Sequence, residues 1–323
     1  MKNGIVVVGN VFVDIKGFPY SKYIPAGRNA GSVEFYHGGV GRNITEDIAN
    51  LELRPTFVTT VDESAQGEEV VKKLSRHKVS TEFMVPAKDG MGMWLAVFNE
   101  TGDVVGSISR RPDMAALREL IDSRGDEIFP ECDSIVIEID LDKEIVKSVL
   151  RFAQKYGKKV FAAVANMSIA SDRRDFIKEV DCFVCNLQEA EILFVDDLSS
   201  LSHEELSRKV SQNILSAGIR SMVVTLGSEG CVYADMSGGY GYCPALKIQA
   251  RDTTGAGDAF CAGLAVGLTY GCTLAKAAEI GTKVAASVVA SSDNVCPRFL
   301  PSELGIEAAI GVSDFYGSED ILK

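Results

Sequence analysis

The stretch TTGAGD, Thr253 to Asp258, packs threonines, glycines and a carboxylate directly ahead of an apolar run, AFCAGLAVGL. Glycines let the chain turn tightly and let an anion come close to the backbone. A helix starting there offers unpaired N–H groups and partial positive charge. A phosphoryl group in transfer is the anion these parts suit best. A carboxylate beside it is placed to take the proton of an attacking hydroxyl. On this reading Asp258 is a general base, and the backbone of Gly255, Ala256 and Gly257 cradles the developing charge. The same letters also suit a Gly-rich turn in which Asp258 only caps the helix.

Other polar residues sit at similar junctions. GGVGRNITEDIANL, from Gly38 to Leu51, reads as a strand-to-helix turn with Asn43 in the first helical turn. VVVGNVFVDIKG sets Asp14 between Val13 and Ile15, either facing out from an alternating strand or buried against a polar partner. CNLQEAEIL offers Asn186 as a helix cap with Glu189 in the first turn, and VVTLGSEGCVY places Thr225, Gly227 and Gly230 around a tight turn.

Taken together and in this order, these stretches resemble the PfkB family of carbohydrate and nucleoside kinases, also called the ribokinase family. DTTGAGDAFCAGL matches its C-terminal signature and GGVGRN its N-terminal one, and the resemblance runs over residues 4 to 312. It implies an ATP-dependent phosphotransferase acting on a primary hydroxyl. Asp14, Gly38, Gly39 and Asn43 would meet substrate hydroxyls, with Glu138 of IEID as a substrate-side acid. Asn186, Thr225, Gly227 and Gly230 would lie near ATP, and Glu189 would position magnesium through its waters. Asp252 and Thr254 match positions that bind a monovalent cation such as potassium in many relatives, whereas the loop SSDNVCP departs from that pattern. The GGVGRN form looks like pseudouridine kinases, which makes pseudouridine the first expected acceptor. Ribokinase-, fructokinase- and phosphofructokinase-like activities are the alternatives, and a non-catalytic sugar or nucleoside sensor the competing class. Arg42 either lies over the site or is solvated on its helix. Arg110 and Arg111 of SISRRPDM are the residues that would hold a phosphorylated sugar.

Composition narrows the partners. The chain has 323 residues, 46% hydrophobic and 24% charged, with net charge −12. That balance suits a large core and argues against nucleic acid or an anionic membrane as partner. The N-terminus MKNGIVVVGN lacks a signal-peptide pattern, and the most apolar run is broken by Asp258 and glycines, so a cytoplasmic protein is expected. The eight cysteines have no framework spacing and read as reduced, buried thiols. CFVC, at Cys182 to Cys185, lacks a second metal-binding pair and reads as a core strand. Gly9 alone stands where a dinucleotide-binding glycine cluster would be needed, and a Walker A loop is absent.

The elements that must position these residues alternate. Short β-branched runs such as IVVVG, TFVTTV, SIVIEI and SMVVTLG are interleaved with helical patterns such as KEIVKSVLRFAQKYG. This predicts an α/β fold with a mainly parallel sheet and helices on both faces. Strand-like pieces near 11–17, 32–37, 92–98 and 104–109 follow without intervening helices of their own, with NETGD as a hairpin loop. They predict a small β-sheet lid inserted in a single domain, 1–323. A lid strand face needs cover, so a homodimer through the lid is expected.

Overall fold

The computed structural model describes residues 4–306 apart from 52, 88–90, 167, 169 and 170; both ends of the expected domain, 1–3 and 307–323, lie outside the described residues. In chain order the first elements are β1 (Ile5–Val8), β2 (Phe12–Pro19), β3 (Gly31–Gly38), α1 (Val40–Asn50), β4 (Thr56–Val61), α2 (Ala65–Arg76), β5 (Met84–Pro86), β6 (Gly92–Phe98), β7 (Val104–Arg110), α3 (Ala115–Ile128) and β8 (Ser134–Glu138). There follow α4 (Lys143–Tyr156), β9 (Lys159–Ala163), α5 (Arg174–Glu179), β10 (Cys182–Asn186), α6 (Leu187–Phe194), α7 (His203–Ala217), β11 (Ser221–Thr225), β12 (Cys231–Asp235), β13 (Tyr240–Cys243), α8 (Ala256–Thr269) and α9 (Leu274–Val289).

The main sheet has nine strands in the order β13-β12-β11-β10-β9-β8-β1-β4-β5. From β5 to β11 every pairing is parallel, and β12 and β13 add an antiparallel edge. Burial on both faces explains why β1 is continuously apolar. Ile5 and Val7 join a core with α1 and α8, whereas Val6 and Val8 join a second core with α3 and α4. The glycines of α8 serve close helix packing: a Cβ on Gly263 would stand 3.0 Å from the Gly281 Cα of α9. That contact accounts for the small-residue composition of the run that follows Asp258.

The lid is a separate four-stranded sheet, β3-β2-β6-β7, and the Asn99–Asp103 turn closes the β6–β7 hairpin as NETGD predicts. Alternation divides its faces. Asp14 pairs in register with Tyr36 on one side and Trp94 on the other. The neighbouring row, Ile15, Phe35, Leu95 and Ile108, points the opposite way, and there Phe35 is 59% and Ile108 70% exposed.

All eight cysteines are unpaired, and Cys182 and Cys185 are buried in β10. Among the described residues no helix is long and apolar enough to cross a membrane.

Candidate active site

Parallel strands deliver their C-terminal ends to one edge of a sheet, where open α/β folds bind ligands. Here that edge carries Gly9 and Asn10 after β1, Glu138 at the end of β8, Asn186 at the end of β10 and Thr225 at the end of β11. Asn186 and Thr225 are register partners, and with Gly227 they line a cavity of about 360 Å³.

Two helix N-termini meet over this edge. α1 begins after Gly39 and α8 after Gly255, and both glycines have positive φ, 99° and 81°. The Asn43 side chain donates from Nδ2 to Asp258 Oδ2 at 2.6 Å. The two signatures, 215 residues apart in sequence, are therefore in direct contact. Burial pushes the Asp258 carboxyl up to about 6, while the hydrogen bond from Asn43 and the charge of Arg42 hold it down. Asn43 Oδ1 is buried and accepts no hydrogen bond from the described residues. Asp14 lies against the backbone at Gly38, where a Cβ would stand 2.6 Å from Asp14 Oδ2. Burial raises the Asp14 carboxyl too, offset by the charges of Lys16 and Arg42.

Glu138 is 2% exposed, and both of its oxygens accept hydrogen bonds from the chain. Oε1 accepts the backbone N–H groups of Asn10 and Gly41, each at 2.6 Å, and Oε2 accepts Asn10 Nδ2 at 2.9 Å. Burial and the Asp140 charge push its carboxyl up. Glu138 is thus a positioning residue that ties the β1 end to the start of α1. Arg42 is not solvated on its helix. It is 1% exposed, donates to Glu46 Oε2 at 2.6 Å and also donates to the His37 carbonyl. The i to i+4 spacing of Arg42 and Glu46 was a legible signal for that pair. Asn10 was missed, because no motif marks it.

The remaining residues fall as follows. Asn186 and Glu189 form a reciprocal cap on α6: Asn186 Oδ1 accepts the Glu189 N–H at 2.9 Å and Glu189 Oε2 accepts the Asn186 N–H at 2.7 Å. Burial raises the Glu189 carboxyl, and the nearby Asp140 charge adds to the rise. Gly230 shapes the turn after β11, since a Cβ there would stand 2.1 Å from the Cys243 carbonyl oxygen. Asp252 accepts the Thr254 N–H at 2.8 Å, which lowers its carboxyl, and both side chains are exposed just before α8. Arg111 is bound to Asp140 at 3.0 Å and Arg110 to the Met91 carbonyl at 3.0 Å. Among the described residues no group of three metal-ligating side chains is present.

This arrangement agrees with what comparison with known proteins finds. The family model described as pfkB family carbohydrate kinase matches residues 2–296. Guanosine-inosine kinase of Exiguobacterium acetylicum is 32% identical over 90% of this chain and 96% of its own length. Pseudouridine kinase of Escherichia coli is 26% identical over 82% of this chain and 83% of its own. The structure of Arabidopsis thaliana ribokinase complexed with ribose and ATP superposes with a TM-score of 0.83 at 21% identity, over 94% of this chain and 99% of that one, and confirms the ribokinase-like fold. With its two signatures joined at one sheet edge and the family model spanning nearly all of it, the chain belongs to the pfkB family of carbohydrate kinases.

Proposed function

We propose that the protein is an ATP-dependent kinase of ribonucleosides, phosphorylating a primary hydroxyl. The observation that carries this reading is the Asn43–Asp258 contact. It sets a carboxylate with a pKa of about 6 at the tip of α8, beside an orphaned amide oxygen that a substrate hydroxyl would satisfy. Asp258 accepts the proton of the acceptor hydroxyl as its oxygen bonds to the γ-phosphorus of ATP. The bond from that phosphorus to the bridging oxygen breaks, and ADP leaves. The backbone N–H groups of Gly255 to Asp258 stabilise the charge on the transferring group.

A nucleoside is favoured over a bare sugar by the lid. Tyr36 and Trp94 flank Asp14 on one face of that sheet, an aromatic surface suited to stacking a base while Asp14 takes ribose hydroxyls. The two curated relatives named above act on nucleosides. Guanosine or inosine is the leading acceptor by similarity, with pseudouridine, the acceptor suggested by GGVGRN, second. Arg111 is already held by Asp140, which weakens the case for a phosphorylated sugar.

The donor set fits magnesium. Glu189 stands close enough to Asp140 to feel its charge, and a cation held through waters and phosphate oxygens would offset that repulsion. When bound, the metal neutralises phosphate charge. Asp252 and Thr254 remain the residues that would take potassium. The chain works in the cytoplasm, on the support of its unpaired, mostly buried thiols. The exposed row of Val33, Phe35 and Ile108 is covered by a second copy of the chain, a dimer that sedimentation equilibrium would detect and a monomeric mass would refute.

The test is ADP release with guanosine, inosine, pseudouridine, uridine, ribose, fructose and fructose 1-phosphate. Release with a nucleoside supports the reading. A saturable thermal shift with no ADP from any of them would mean a sensor instead. The pH dependence follows from Asp258. Its base form is the ionised one, so kcat/KM should rise as pH climbs through about 6 and level off above it. A profile flat from pH 5 to 8 would contradict that assignment.

A further inference from the structure

Toward the C-terminal end of α1, beyond the site residues, a cavity of about 550 Å³ opens between α1, the end of α2 and the segment Ser291–Arg298. Its lining carries Arg54, Lys73, Arg76, Lys78 and Arg298 against the carboxylates of Glu46 and Asp293. On a chain of net charge −12 this concentration of cations is a local reversal of sign. The walls are pinned. Asn50 Nδ2 donates to the Cys296 carbonyl at 2.7 Å, Asn50 Oδ1 stands 3.0 Å from His77 Nδ1, and Asp47 Oδ1 accepts the Cys296 N–H at 2.6 Å. The volume lies in the range of small-molecule sites, about 300–1,000 Å³. It exceeds what a lone phosphate fills. Arginines match phosphate oxygens with paired N–H groups.

The cavity is also wired to the lid. Lys73 pairs with Glu46 at 2.8 Å, and Glu46, 1% exposed, pairs with Arg42, which donates to the His37 carbonyl. Asn294, from the cavity wall, donates to that same carbonyl at 2.9 Å. His37 belongs to β3, an edge strand of the lid. An anion that draws Lys73 away leaves Glu46 to Arg42 alone and so alters one of the two donors that hold the His37 carbonyl of β3.

We propose that this cavity is an effector site for a phosphate-bearing small molecule, with Arg54, Lys73 and Arg76 as its anion ligands and the lid as the element that responds. The reading is independent of the kinase assignment, because its readouts are binding and fluorescence. Trp94, the single tryptophan, lies in the lid strand β6 and reports on it.

The experiment titrates the full chain with inorganic phosphate, pyrophosphate and guanosine 5′-monophosphate at constant ionic strength set by chloride. Thermal unfolding and Trp94 emission are followed. At least one probe should raise Tm saturably and change the emission. Arg54→Glu with Arg76→Glu should weaken that response by at least about ten-fold, roughly 1.4 kcal/mol, and Asp258→Asn should keep it. The milder Arg54→Gln with Arg76→Gln pair serves if charge reversal disturbs folding. The part of each response that the paired variants remove belongs to this cavity: if it is larger for the monophosphate than for pyrophosphate the occupant is an organic phosphate, and the reverse order makes it an inorganic one. Equal responses in wild type and both paired variants, or no saturable response to any probe, would overturn the site. Binding without an emission change would overturn its link to the lid.

Discussion

Asp258→Asn is expected to lower kcat by about 10²–10⁴-fold while the protein stays folded and still binds its acceptor. The amide keeps the size of the carboxyl, and its oxygen can still accept from Asn43 Nδ2, now 2.6 Å from Asp258 Oδ2. What it cannot do is take a proton. Stability should hold or improve at neutral pH, and the sign follows from linkage. Burial raises the Asp258 carboxyl to about 6, so the folded state favours its protonated form. The stabilisation from holding that proton is present at low pH and is lost as pH rises through the interval from the ordinary value of 3.8 to about 6. Above that interval a neutral amide removes an ionised group from a place that disfavours charge. The measurements are steady-state turnover, acceptor affinity by calorimetry and Tm at pH 7.5. Near-normal turnover would take Asp258 out of the base role. A large fall in Tm would make it a structural residue.

How much of this was legible in the sequence depends on whether the signal was local. The lid strands are expected near 11–17, 32–37, 92–98 and 104–109 and found at Phe12–Pro19, Gly31–Gly38, Gly92–Phe98 and Val104–Arg110, because alternation and a hairpin turn are local patterns. The helix α8 starts where TTGAGD places it, since a glycine with φ of 81° can end a turn and open a helix. The helix α3 went unread although Leu117, Leu120, Ile121 and Ile128 carry a helical spacing and are all buried. The antiparallel β12–β13 edge also went unread, being masked by the parallel rhythm before it.

Tertiary partners were less visible. Glu138 closes a strand buried on both faces, so its neighbours do not say which way it turns. Only the approach of Asn10 and Gly41 shows that it ties the end of β1 to the start of α1. Arg42 carries its partner four residues on, but its near-complete burial depends on Lys73 of α2 sharing the Glu46 charge. A buried pair of this kind is costly to strip of one member. The contact of Asn43 with Asp258 has no local signature at all: each residue announces a helix start, and only the folded chain brings the starts together.

Gly255→Ala should damage both stability and turnover, whereas its neighbour two residues on separates the two. Gly255 has φ of 81°, a left-handed conformation that costs a residue with a Cβ about 1–2 kcal/mol. That Cβ would also stand 2.1 Å from the Asn294 carbonyl oxygen, so the segment packed on the tip of α8 must shift. The N–H groups that the proposed mechanism assigns to the transferring phosphoryl shift with it, and loss of one such donor typically costs about 10²–10³ in kcat. A Cβ on Gly257 meets no protein atom within 4 Å and needs no unusual φ, so Gly257→Ala should keep the wild-type Tm. Its methyl group nonetheless projects into open space at the tip of α8, where the proposed mechanism brings the γ-phosphoryl and the acceptor hydroxyl together. Turnover should therefore fall in both variants and Tm only in Gly255→Ala. Full activity in Gly257→Ala would show that the anion does not approach the first turn of α8, and the charge stabilisation would have to be sought on side chains instead of this backbone.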